Sequence, residues 1–318
     1  MEKLPAKKFE RKSGVVRVAG VEEDKELEIL EVFGELFDEK QEFKKGEIEK
    51  TPEQKEVVVF INQKLPEFIR RYGGEPLIIS EDKIHLLPGK YFPREDIGAV
   101  YYPAEQSVYV RSLKDRPLLA FAKSLTHEEL HWNSFQSMQF GKQNKVRRMG
   151  FKIIKGKEKG TAYFSSLDEA MTEELTKRFS DEFLKQVPVL KEDFEILEAL
   201  KRHRVEIVTQ TGLDPNTIEE MVSNIAFVTP AQTEDRVEEA ILHSYSYAAD
   251  RAKLNNLIAE LYEKNKNDFQ SREEVFALFA RAVLSGRLLP VARLIEKTYG
   301  KGSFRRVGEQ FGGKLEKI

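Results

Sequence analysis

The segment AKSLTHEELHWNSF, residues 122–135, constrains this chain more than any other. Together with the preceding LLAF it places apolar or aromatic residues at 118, 119, 121, 122, 125, 130, 132 and 135, a spacing that suits a largely buried helix. On a helix, residues i and i+4 share a face, so His127 and His131 can present two imidazole nitrogens to one ion about 2.0 Å from each. Glu128 projects about 100° round from His127, near enough to hold a metal-bound water without ligating. Zinc lowers the pKa of such a water to near 7, and a carboxylate beside it can take the proton and later deliver it to a leaving amine. A solvated face that gathered two histidines by accident would not be apolar on either side of them.

Composition narrows the ligands available. The 318 residues include no cysteine and only five histidines, so disulfides, thiolate zinc sites and cysteine nucleophiles are excluded and a metal must be held by His, Asp or Glu. Fifty-two Lys and Arg against 54 Asp and Glu leave a net charge of -2, which gives no global field favouring nucleic acid or an anionic membrane. With 40% hydrophobic residues the chain can bury a substantial core. No signal-like apolar run follows the N-terminus, and no window approaches the 18 or so apolar residues that span a bilayer. A cytoplasmic location is the expectation, and leaderless export would look the same.

The pattern along the chain predicts an α+β fold. Residues 1–50, dense in Lys and Glu, read as an N-terminal extension, either a tail or a prosegment. Thr51 and Pro52 open a helix that closes at Gly73 and Gly74, with a break expected near Pro66. EPLIISEDKIHLLPG and IGAVYYPAEQSVYVRSL each read as a pair of short strands, giving a small mixed or antiparallel sheet ahead of the histidine helix within residues 51–140. Residues 141–165 are basic and glycine-punctuated and read as a solvated hairpin or flap, with GFKII as a strand. Residues 166–318 read as a mostly helical part, with a loop at VTPAQTED.

A catalytic zinc needs a third protein ligand and one open position. Ser134 and Ser137 exclude the extended HExxHxxGxxH pattern, and Phe164 excludes a GTxxD ligand pattern. FSSLDEAMTEELTKRF, residues 164–179, then supplies two carboxylates at i, i+4 on a second helix. Glu169 is the better ligand and Glu173 the better partner for the far nitrogen of a ligand imidazole, where a carboxylate fixes the tautomer and raises basicity. Ser166 and Glu169 also have the spacing of a capping box, in which Glu169 would merely tie back to the backbone, and Asp168 suits the helix dipole with or without a metal. Local chemistry leaves both readings of Glu169 open.

HEELH followed by LDEAMTEEL resembles the gluzincin metallopeptidases, the thermolysin-like class whose second helix carries an NExxxD or similar motif, and the small minigluzincins in particular. Asp168 stands where that family has Asn, and Glu173 where thermolysin-like members have Asp. The specific motifs cover some twenty positions. The resemblance implies a zincin-like fold, Zn2+ held by His127, His131 and Glu169, Glu128 as general base and acid, and Glu173 orienting His127. It further implies that the strand before the active-site helix is the edge on which an extended peptide pairs, here Val108, Tyr109 and Val110. A downstream donor to the oxyanion is also implied; Tyr247 is favoured, Tyr245 next, ahead of His203 and His243. The expected activity is peptide-bond hydrolysis, with endopeptidase favoured because no GxMEN element is present. The partners are peptide or protein substrates, not nucleic acid or membrane. The alternatives are a zinc hydrolase acting on another bond, a catalytically silent zincin-fold interaction module, and a helical binding protein without metal.

Overall fold

The computed structural model describes residues 46–92, 94, 97–103, 107–112, 116–139, 145–154, 161–210, 212–230 and 240–314. Most of the expected N-terminal extension and parts of the 141–165 flap therefore lie outside the described residues. The architecture is mixed α+β.

Thr51 caps α1 (Pro52–Arg71): its hydroxyl accepts from Gln54 N while the Gln54 side chain accepts from Thr51 N, two orphan donors satisfied reciprocally. The helix runs unbroken through the buried Pro66, contrary to the expected break. Its apolar side, with Ile61, Leu65, Phe68 and Ile69, packs into the main core.

Of the two expected strand pairs, the first yields one strand, β1 (Ile84–Pro88), and the second yields the hairpin β2 (Ala99–Tyr102) and β3 (Ser107–Ser112). The sheet order is β1-β3-β2, with β1 parallel and β2 antiparallel to β3. Placing β3 at the edge was wrong. Val108, Tyr109 and Val110 pair on one side with Ile84, His85 and Leu86 and on the other with Tyr101, Val100 and Ala99, so no substrate can pair with them. Among the described residues the edge strands of this sheet are β1, whose outer side meets Ile48 at one bridge, and β2, whose outer side pairs with no strand. The misassignment arose because β1 comes back parallel to β3, a pairing between segments some twenty residues apart that local pattern does not reveal.

Helix α2 (Leu118–Asn133) carries the histidine motif, and Leu119, Ala122, Leu125 and Leu130 are all but fully buried on it. Each leucine contributes roughly 1.5–3 kcal/mol of burial. Its first turn is held by Asp193, whose carboxylate accepts from Leu119 N at 2.7 Å. A second sheet follows, β4 (Gln136–Gln139), β5 (Lys145–Met149), β6 (Lys152–Ile154) and β7 (Thr161–Tyr163), in the order β7-β6-β5-β4, with Gly313–Lys314 paired on the outer side of β7. The β5–β6 hairpin is the expected flap, turning at Gly150 and Phe151.

Helix α3 (Ser165–Glu182) then crosses under α2, followed by α4 (Lys191–Thr209) and α5 (Pro215–Ser223). The first three residues of VTPAQTED, expected in a loop, belong to β8 (Ile225–Pro230), which pairs antiparallel with β9 (Ala240–Ser244); the rest of that segment lies outside the described residues. Helices α6 (Ala248–Lys264), α7 (Arg272–Ser285), α8 (Leu288–Tyr299) and α9 (Ser303–Gln310) and the short β10 (Gly313–Lys314) complete the chain. One hydrophobic cluster runs from Val57 to Phe311 and joins the sheet-bearing part to the helical part. Among the described residues no helix is long and apolar enough to cross a membrane.

Candidate metal centre

The centre forms where α2 and α3 pack together. Leu125 and Leu130 on one helix, and Leu167, Met171 and Leu175 on the other, fix the crossing in the core. His127, His131 and Glu169 then face one another, with one ligand atom from each within 4.8 Å of the other two. Glu169 Oε2 lies 3.2 Å from His131 Nε2 and 3.5 Å from His127 Nε2. Two ligands about 2.0 Å from one ion at a tetrahedral angle are separated by about 3.3 Å, which the two spacings to Glu169 match.

The capping-box reading of Glu169 does not hold. The helix starts from Phe164, which has a left-handed backbone (φ 57°) and makes no side-chain cap. Ser166 sits inside the first turn, and its hydroxyl donates to Phe311 O. The Glu169 carboxylate is thus released to meet the histidines.

The His127 imidazole is held from behind. Glu173 Oε2 accepts from His127 Nδ1 at 2.7 Å, and its other oxygen accepts from Ser246 N at 2.7 Å. A carboxylate offers only acceptors, so Nδ1 carries the proton and the Nε2 lone pair is left for an ion. The partner of His131 escaped the sequence reading. Asp168 Oδ2 lies 3.9 Å from His131 Nδ1, and both are buried atoms without a hydrogen-bond partner. Asp168 Oδ1 accepts from Phe151 N at 2.6 Å, which ties this carboxylate, and so the rear of the site, to the β5–β6 turn. The available signal was an acidic residue directly before the ligand glutamate.

The electrostatics suit a cation site. Burial opposes charge on His127, but hydrogen bonds to Glu169 and Glu173 outweigh it and raise its pKa well above the usual imidazole value. His131 is raised too, Glu169 prevailing over burial. Burial opposes ionisation of Glu169, yet the two imidazoles hold it well below the carboxylate range. Glu173 is lowered against burial chiefly by His127, and burial pushes Asp168 up to about 6. Glu129, the other acid of HEELH, is buried away from any partner and shifted far upward.

Glu128 stands next to the ligands. One oxygen accepts from Tyr101 N at 2.7 Å, which binds this carboxylate to strand β2 and leaves Oε1 for a proton. Burial raises its pKa, against the histidines and the Tyr101 N–H.

The two tyrosines separate. Tyr247 has a left-handed backbone (φ 55°) at the start of α6, and its ring stacks on His127 with centroids 6.1 Å apart. Burial, then the Glu169 and Glu128 carboxylates, raise its phenol above the usual value, although 42% of the residue stays accessible. Tyr245 does not reach the centre. It is buried between Lys123, 4.6 Å from its ring centroid, and Arg251, because it extends from β9 into the core before the turn at Tyr247. His243 pairs with Thr229 in the hairpin, and His203 is exposed on α4.

Comparison with family models, with curated proteins and with solved structures finds no match for this chain.

Proposed function

We propose that this chain is a zinc-dependent peptidase of gluzincin type, with a zincin-like arrangement of sheet, active-site helix and ligand-bearing second helix. The observation that carries the reading is the convergence of His127, His131 and Glu169, with one ligand atom from each within 4.8 Å of the other two and Glu169 Oε2 3.2 and 3.5 Å from the two Nε2 atoms, and with Glu128 beside them. Two nitrogens and one carboxylate oxygen suit zinc, and three protein ligands leave a position open, as catalysis requires. Zinc bound there supplies Lewis acidity toward a carbonyl and a lowered pKa for water.

The chain's own groups do the remaining work. Glu173 holds the His127 imidazole in the ligating tautomer, and Asp168 stands 3.9 Å behind His131 Nδ1. Glu128 takes a proton from water and returns it to the departing amine, its position fixed by Tyr101 N–H. Tyr247, stacked on His127, is the donor for charge developing on the carbonyl oxygen, a role worth several kcal/mol when preorganised. The open side of β2 offers main-chain groups to an extended peptide.

The test is Glu128→Gln. The reading expects about one zinc per chain by elemental analysis in both proteins and at least a hundredfold loss of peptide-library cleavage in the variant. Zinc well below one per chain, or cleavage unchanged in the variant, refutes it.

A further inference from the structure

Lys123 is a buried amine outside the ligand set. It stands four residues before His127 on α2, and 6% of it is accessible; lysines are almost never buried so fully unless something is gained by it. Its Nζ donates to Ala226 O on β8 and lies 4.6 Å from the centroid of the Tyr245 ring and 5.8 Å from that of Phe194 on α4. The register of β8 with β9 skips Ala226, since Ile225 pairs with Ser244 and Phe227 with His243. A residue bulged out of a ladder in this way is left without a partner on the neighbouring strand, and here its carbonyl meets the lysine. Nζ carries an N–H for that carbonyl whether or not the amine is charged.

The residues that follow this anchor lead straight to the metal centre. Tyr245 N donates to Asn224 O at 2.8 Å and closes the base of the hairpin beside Ala226. The next residue, Ser246, donates its N–H at 2.7 Å to Glu173, the carboxylate behind His127. The one after, Tyr247, turns through its left-handed backbone and stacks on His127. Arg251 holds the far side of the turn: its N–H donates to Tyr247 O at 2.8 Å, and its guanidinium pairs with Glu174 at 2.8 Å, beside the other edge of Tyr245. A non-glycine residue at positive φ persists where its surroundings over-determine it. A two-stranded hairpin is marginal by itself, so the order of Tyr245–Tyr247 depends on what ties the hairpin to the helices.

We infer that Lys123 is a positioning residue of the metal centre: by fastening Ala226 and Tyr245 to the active-site helix, it sets the Ser246 N–H on Glu173 and the Tyr247 ring on His127. This role rests on the metal-centre part of the proposed function and adds to it a residue that acts through the hairpin. The route has two steps, Nζ to the hairpin and Ser246 to the carboxylate, and cutting either one frees the Glu173 oxygen that the hairpin now holds.

The experiment uses the full chain and compares wild type with Lys123→Met, which keeps the length of the side chain and removes the donor. Hydrogen exchange of the apo-proteins, read by mass spectrometry, should be roughly tenfold faster in the variant over Tyr245–Tyr247, with α3 and α8 at wild-type rates. Zinc affinity, from competition with a chelator, should fall about three- to tenfold, less than for loss of the orienting carboxylate itself. In a Glu173→Gln background the same substitution should change it by less than about twofold, because the route through Ser246 is already cut. Should Lys123→Met not fold, Tyr245→Leu removes the ring beside Nζ and is read in the same assays. Exchange unchanged over Tyr245–Tyr247 or faster everywhere, wild-type zinc affinity, or an equal loss with and without Glu173 overturns the role of Lys123 and leaves the metal centre standing. A wild-type chain that takes up no zinc overturns the centre, and the apo exchange still decides whether Lys123 orders the hairpin.

Discussion

Replacing Glu173 by Gln tests the support of the metal centre without touching a ligand. The wild-type carboxylate accepts twice, from His127 Nδ1 and from Ser246 N, both at 2.7 Å. An amide of the same size has one acceptor and one donor group. If its oxygen faces Ser246, its NH2 meets the Nδ1 proton, and relief requires His127 to move that proton to Nε2, the atom meant for zinc. If its oxygen faces His127, a donor is set against Ser246 N–H. Neither orientation satisfies both partners, and the imidazole also loses a negative charge behind it. Loss of such a partner costs about 10–100-fold in metal affinity, about 1.4–2.7 kcal/mol. Competition of the purified apo-protein against a chromophoric zinc chelator measures it. Wild-type zinc affinity in Glu173→Gln would refute the assignment of His127 as a ligand oriented by this carboxylate.

Two further outcomes follow from buried polar groups outside the ligand set. Gly150 has φ 52°, and a Cβ there would sit 2.0 Å from Asp168 Oδ1. Gly150→Ala should therefore cost about 1 kcal/mol in backbone strain and 1–3 kcal/mol in the displaced Asp168–Phe151 bond, and it should weaken zinc binding through His131; a wild-type urea midpoint with unchanged zinc affinity would sink this. Lys123 is buried, donates to Ala226 O and has its pKa lowered by burial to about 7. Below that pH it is charged in both the folded and unfolded chain, and the fold bears the full cost. As pH rises from 7 toward about 10.4 the unfolded chain binds the extra proton, so wild-type stability rises relative to Lys123→Met. Between pH 6.5 and 9 the difference should move on the order of 2 kcal/mol in favour of wild type, and a flat difference in paired urea titrations would show that Lys123 keeps an ordinary pKa.

How far the sequence was legible depends on the range of the contacts involved. The helix ends of α1, the β2–β3 hairpin and the i, i+4 pairs on α2 and α3 are local patterns, and 127, 131, 169 and 173 could be named because each helix presents its own face. What local pattern could not reveal was the meeting of distant segments. β1 inserts beside β3 and makes it the central strand. The pairing of β8 with β9 went unread, yet Ala226 O accepts a hydrogen bond from Lys123 and Ser246 N donates to Glu173. Asp168 acquires its meaning only from Gly150 and Phe151, neither of which is chemically distinctive in a sequence.

The division between what folding and what a metal must supply follows from the same contacts. In small zinc domains the ion supplies the folding energy, because no core exists without it. Here Leu125, Leu130, Leu167, Met171 and Leu175 lock the two helices in one cluster with the rest of the chain, and carboxylates already partner both ligand histidines. The ligand positions are therefore set by apolar packing, and the charges that an ion would balance are balanced meanwhile by protons on the imidazoles. An ion entering this site has protons to displace and little chain to order. A centre so prearranged holds Glu128 and the Tyr101 edge in place before any substrate arrives, and that is the condition under which a general base beside a metal contributes to rate as well as to binding.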